Sequence, residues 1–312
     1  MFTSKTAVLP FLRWPWSFRL PAVLGQCRVR VRRALYWETN RCMPVVVLLA
    51  VLLCGLMNPA AAETLRTGGV GAVTMLLPLL YSEFDRDGAN KLEVIPGLGS
   101  SGGLRALAEG ALDFAVSGRP LNADELKEGL SVVASVRTPF VLVTSHSNPN
   151  GLKSTEIAEI FKAPKVTWAD GSVTRVILRP KSDSDTTVLG GMFPGMVSAL
   201  EAARARQDTT IAATDQDNAD AAERIQGSLT GTTLTQMITE QRNLRVVAID
   251  GLTPGVEAME AGAYPFTKTI SFVLPAKRNT LAERFIAFIQ SSAGQEILRA
   301  KGSSLMPKLG GP

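Results

Sequence analysis

Along the chain, short alternating or β-branched apolar runs take turns with stretches in which apolar residues recur every three or four positions. This predicts strands interleaved with helices. Leu65-Arg66-Thr67 is a short extended run leading into Gly68-Gly69-Val70-Gly71-Ala72-Val73-Thr74, after which Met75, Leu76, Leu79, Leu80 and Phe84 recur at helical spacing. Pro78 falls in the first turns of that helix, where a missing N–H costs least, and Asp85-Arg86-Asp87-Gly88 closes it. The unit then repeats. Leu92-Glu93-Val94-Ile95 alternates as a strand, Gly97-Leu98-Gly99-Ser100-Ser101-Gly102-Gly103 makes the turn, and Leu104, Leu107 and Ala108 continue as a helix. Ser100 or Ser101 is expected at its N-cap. Residues 112–116 read as a further strand, ending in Ser117-Gly118-Arg119-Pro120.

Residues 132–144 form a long β-branched run interrupted by Pro139, suited to a strand that leaves one lobe and enters another. A capped helix follows over residues 154–161, with a turn at Trp168-Ala169-Asp170-Gly171. The strand 173–178 then runs into a third polar turn, Arg179-Pro180-Lys181-Ser182-Asp183-Ser184-Asp185-Thr186, ahead of another helix. Helices are expected over 219–225, 234–240, 281–288 and 295–301, and strands over 244–249 and 267–274. Such alternation predicts an α/β fold whose ligand groups gather at the carboxyl ends of the strands.

Composition changes this picture mainly at the N-terminus. The 312 residues carry a formal net charge of +5, which would favour a polyanionic partner if it were spread along the chain. It is not: residues 1–62 hold eight of the 33 basic residues and only Glu38 of the 28 acidic ones. The remainder has 25 basic against 27 acidic residues, so nucleic-acid binding loses its compositional support. Residues 1–62 read instead as an export signal, with an Arg-rich start, an apolar run over 45–57 and a small-residue cleavage site at Ala60-x-Ala62. That run is shorter than the roughly 20 residues a bilayer span needs. The expectation is a protein released into the periplasm from about Glu63. Leu53 before Cys54 does not favour a lipid anchor there. Cys27, Cys42 and Cys54 all precede Glu63, so disulfides and thiolate metal sites are excluded from the mature body. With His146 the sole histidine, neither a metal nor a cofactor is expected.

The chemistry lies in the polar turns. The first N–H groups of a helix lack intrahelical partners and sit at its positive end, so a glycine- and serine-rich strand-to-helix turn is suited to an anion. Arg179 adds a planar fork matched to a tetrahedral oxyanion; its alternative role is an ion pair with Asp183 or Asp185. A different reading is also open. Gly99-x-Ser101-x-Gly103 fits the nucleophile-elbow pattern of a serine hydrolase, with His146 as base and Asp113 or Asp124 to orient it.

The three turns in this order resemble the periplasmic phosphate-binding proteins of ABC transporters, within the two-lobed solute-binding proteins. The likeness runs over nearly all of residues 63–306. It includes Gly99-Ser100-Ser101-Gly102-Gly103, Leu112-Asp113-Phe114-Ala115-Val116-Ser117, Ile157 to Phe161 through Trp168, Tyr264-Pro265-Phe266 and Phe285-Ile286-Ala287-Phe288 with Ser292-Ala293-Gly294-Gln295. The resemblance implies two α/β lobes joined by crossover strands, one from residues 63–143 with 247–312 and the other from 144–246. It implies a monomeric protein that binds phosphate or a related oxyanion without chemistry and delivers it to permease subunits, or alternatively presents it to a signalling partner. The implied contacts are Thr74 and Met75 beside Val73 in the first turn, Ser100, Ser101 and Gly102 in the second, and Arg179, Ser184, Asp185 and Thr186 in the third. Two positions depart from the pattern: Gly118 stands where the family has its phosphate-selecting aspartate, and Asp185 where it has glycine. Asp183 or Asp185 supplying the missing acceptor, a different anion, and an Asp–Arg179 pair that weakens binding all remain open.

Overall fold

The computed structural model describes residues 62–307. All of the expected export segment but its last residue, Ala62, and all three cysteines lie outside the described residues. In chain order the first elements are β1 (Thr64–Gly69), α1 (Leu76–Phe84), β2 (Lys91–Ile95), α2 (Gly99–Ala108), β3 (Phe114–Ser117), α3 (Ala123–Lys127) and β4 (Ser131–Thr144). They continue with α4 (Ser154–Lys162), β5 (Arg175–Leu178), α5 (Ser184–Met192), α6 (Met196–Arg204), β6 (Thr210–Ile211), α7 (Asp215–Arg224), β7 (Ser228–Thr233) and α8 (Leu234–Thr239). The last are β8 (Arg245–Val247), α9 (Val256–Glu260), β9 (Thr267–Leu274), α10 (Thr280–Gln290), α11 (Ser292–Ala300) and β10 (Ser304–Leu305).

The strands run β2-β1-β3-β9-β4-β7-β5-β6, with β8 and β10 also pairing to β4. β1 lies parallel between β2 and β3, and β5 parallel between β6 and β7. These two α/β lobes share the 14-residue β4. Its first part pairs antiparallel with β9, from Ser131 opposite Leu274 to Pro139 opposite Thr267. From Phe140 onward the partners are β7 and β8. Pro139, which interrupts the apolar run, sits where one partner is exchanged for the next, a place where a residue without an N–H disturbs a ladder least. Burial along β4 alternates up to Arg137 and is continuous from Thr138, as expected of a strand with one wet face that becomes covered on both.

Each side has its own core. Leu65, Leu76, Leu80, Phe114, Phe272 and Phe285 pack on the β1–β9 side. Phe140, Ile157, Phe161, Met196 and Leu229 pack on the other. Val141, Val143 and Tyr264 join that second side, with Phe266 against them. β7 and α6 add to the elements expected from the sequence. β7 is Ser-Leu-Thr-Gly-Thr-Thr, yet every residue of it is buried. Its threonines are tolerated there because they bond internally, Thr230 Oγ1 donating to the Ile177 carbonyl (2.9 Å) and sitting 2.8 Å from Asn218 Oδ1.

Candidate functional site

Four turns meet at a cavity of about 210 Å³ between the two sides of the sheet. Gly69 and Gly71 follow β1, Gly97 to Ser101 open α2, Arg179 to Ser184 link β5 to α5, and Ala213 to Gln216 lead into α7. The glycines explain how the backbone gets there. Gly69 has φ of 136°, and a Cβ on it would lie 1.9 Å from the Val116 carbonyl oxygen. A Cβ on Gly103 would lie 2.6 Å from Gly69 Cα. The start of α2 is therefore seated directly on the end of β1, which brings its N-terminus to the cavity.

Ser100 and Ser101 do not cap that helix. α2 begins at Gly99, behind Leu98 at φ −70° and ψ −32°, and no side chain caps it. Gly97 and Gly99 turn the chain at positive φ, which frees the Ser100 hydroxyl to accept from the Gly118 N–H at 2.9 Å. Ser101 Oγ accepts from Arg119 Nε at 3.1 Å, and Arg119 in turn makes a two-pronged pair with Glu125.

The opposite wall carries the charge. Arg179 is 5 % exposed, with one terminal nitrogen on the Ala212 carbonyl (2.7 Å) and the other on Asp183 Oδ2 (2.8 Å). Its Nε is buried with no partner among the described residues. Asp183 also caps α5 through Oδ1, which accepts from the Asp185 N–H at 2.8 Å. The ion pair weighed as an alternative role for Arg179 is thus present, but it is a buried one at the cavity wall. Asp215 stands beside it, 3.6 Å from Arg179, and accepts from the Gly71 N–H across the cavity at 3.0 Å.

Asp185 is not part of the cavity lining; it forms an ion pair with Lys268 of β9, and both are buried. Burial pushes the Asp185 carboxyl up against the pull of Lys268. Burial lowers Lys268, but the carboxylates of Asp185, Asp215 and Asp183 outweigh it and hold the ammonium above its ordinary range. The pair ties α5 on one side of the sheet to β9 on the other. It also explains Gly118, where a Cβ would lie 2.7 Å from both Lys268 Cε and Ser184 Oγ.

Of the residues expected from the sequence, Ser100, Ser101, Arg179 and Ser184 line the cavity. Thr74, Met75, Gly102, Gly118, Asp185 and Thr186 lie outside its lining. Thr74 donates its N–H back to the Gly71 carbonyl (3.0 Å), Met75 is 46 % exposed, and Gly102 faces Leu98. Thr186 Oγ1 braces the third turn through the Arg179 and Pro180 carbonyls. A hydrolase triad does not assemble: His146 Nε2 bonds Asp170 (2.9 Å) and its ring stacks on Trp168, while Ser101 is held by Arg119. Unforeseen are Gly71, Asp215 and Gln216 in the lining and, outside it, Lys268. For the α7 pair a signal existed, because Thr214-x-x-Asp217 forms a capping box that marks the helix start.

Among the described residues, no group of three or more His, Cys, Asp or Glu is placed to hold a metal ion, and no helix is long and apolar enough to cross a membrane. A family model described as the PBP superfamily domain matches residues 58–293. The phosphate-binding protein PstS of Borreliella burgdorferi is 20 % identical over 275 residues, 83 % of this chain and 97 % of that one. A phosphate ABC transporter substrate-binding protein from Clostridium perfringens, solved with bound phosphate, superposes with a TM-score of 0.67 at 17 % identity, over 78 % of this chain and all of that one. An ABC-type phosphate transport receptor from Vibrio cholerae gives 0.54 at 14 % identity, over 78 % and 100 %. At these identities the structural likeness concerns the fold.

Proposed function

Because the chain belongs to the PBP superfamily, we propose that it is an exported, monomeric solute-binding protein that captures phosphate or a related oxyanion between its lobes and delivers it to an ABC transporter. The observation that carries this reading is the convergence of Ser100, Ser101, Ser184 and Arg179 on one cavity, with the start of α2, which no side chain caps, beside them. Unpartnered N–H groups at the positive ends of helices neutralise an anion without a counter-charge. Arg179 supplies a charge-assisted donor from a site already desolvated. Phosphate as cargo is further supported by the relatives, whose names carry that ligand.

Capture requires that the two walls approach and part. We place the crossovers within the shared strand β4 and where the chain returns into β9, near the expected limits of residues 63–143 with 247–312 and 144–246. Closure about such crossovers brings both walls onto the ligand and presents a joint surface to permease subunits. Isothermal titration of the purified protein with phosphate, arsenate, molybdate and sulfate tests the reading. One-to-one binding of phosphate is expected, and an absence of heat with all four anions overturns it.

A further inference from the structure

Resting on the oxyanion reading, we infer that Glu240 is a positioning residue for anion capture: from behind the charged wall it steadies a grip on Gly71 that holds the cleft shut. The grip has two bonds. Asp215 Oδ2 accepts from the Gly71 N–H and Gln216 Nε2 donates to the Gly71 carbonyl, each at 3.0 Å. Gly71 follows β1, while Asp215 and Gln216 open α7 on the other side of the sheet. Both backbone groups of one residue are therefore held across the cavity. These bonds are internal to the chain, so they favour closure in addition to whatever a ligand contributes.

Glu240, which follows α8, anchors the grip. It lies outside the cavity lining, and its side chain is 5 % exposed. Its Oε1 accepts from Gln216 Nε2 at 2.8 Å, and its Oε2 from Gln236 Nε2 at 3.1 Å and Arg242 Nε at 2.7 Å. Gln236 also donates to the Asp215 carbonyl at 3.1 Å. Glu240 thus reaches both gripping residues, Gln216 directly and Asp215 through Gln236. Arg242, paired on its outer side with Asp220 and Glu223, supplies the opposite charge that an enclosed carboxylate needs. Every group bonded to Glu240 is a donor, which only an acceptor-only side chain satisfies. An amide of the same shape would turn its oxygen to Arg242 and its NH2 to Gln216, whose own amide must then give up a partner. Gly71 offers an independent way to dislodge the grip. A Cβ there would lie 2.5 Å from Asp215 Oδ2 and 2.8 Å from Gln216 Oε1, both movable side-chain ends, so an added methyl displaces the two bonds rather than the fold.

The test combines calorimetric titration with inorganic phosphate and hydrogen exchange of the phosphate-free protein, for wild type, Glu240→Gln, Gly71→Ala and the double variant, with thermal unfolding to verify that each folds. Glu240→Gln is expected to speed exchange in the segment around Gly71 and to weaken phosphate binding about tenfold. In the double variant, phosphate should bind no more weakly than in Gly71→Ala alone, because the grip is already lost; a purely structural role for Glu240 would add its own loss. Gln216→Ala carries the exchange and affinity tests if Glu240→Gln does not fold. Unchanged exchange around Gly71 in a folded variant overturns the assignment, as does unchanged phosphate affinity or an additive loss in the double variant. If wild type binds no phosphate while Glu240→Gln still speeds exchange around Gly71, the oxyanion reading fails and the grip stands.

Discussion

The two walls of the cavity are made of different materials. On the β1–α2 side, Gly69, Gly71, Gly99, Ser100 and Ser101 offer backbone and hydroxyl groups and no charge. On the β5–α5–α7 side, Arg179, Asp183 and Asp215 place one cation and two carboxylates within a few ångströms. The neutral wall owes its shape to steric packing, the seating of Gly103 on Gly69. The charged wall owes its shape to paired ions that position one another. Loss of a single group should therefore be graded on the neutral wall and severe on the charged one.

The largest expected effect lies behind the charged wall. Asp185→Ala leaves Lys268 enclosed and unpaired, and should destabilise the protein by about 3–5 kcal/mol in denaturant unfolding, whereas Asp185→Leu combined with Lys268→Met should recover most of that loss. If the double variant is no better than the single one, the pair is not the reason for the loss. Next, Arg179→Ala should weaken phosphate binding by about 2–5 kcal/mol in calorimetry; unchanged affinity would remove Arg179 from the site. On the neutral wall, Gly103→Ala drives a methyl into Gly69 and should cost about 1–3 kcal/mol of stability. A melting temperature equal to wild type would show that α2 is not seated as described. The smallest effect is expected for Ser101→Ala, a loss of about 0.5–1.5 kcal/mol in phosphate affinity for one neutral hydrogen bond. A loss as large as that of Arg179→Ala would erase the contrast between the walls.

The same contrast marks what was legible in the sequence. β1, β2, β9 and the long β4 follow from apolar patterning, and the turns at Gly97 and Arg179 stand out by composition. Ser100 was readable as a turn residue but not by role, because its partner, the Gly118 N–H, lies 18 residues away. Asp215 escaped because Asp215-Gln216-Asp217-Asn218 is polar throughout, so helical periodicity becomes visible only from Ala219. Lys268 escaped for a deeper reason: a lysine in a strand reads as solvent-facing, and its burial depends on a carboxylate 83 residues away. Local patterning sets elements, while charge pairs across a cleft belong to the tertiary structure alone.

Closure of both walls on one oxyanion is tested most directly by hydrogen exchange of the purified protein with and without saturating phosphate. Phosphate is expected to slow exchange together in the segments around Gly71, Ser100–Ser101 and Asp183–Thr186. Protection confined to one wall, or none in any of these segments, would contradict it.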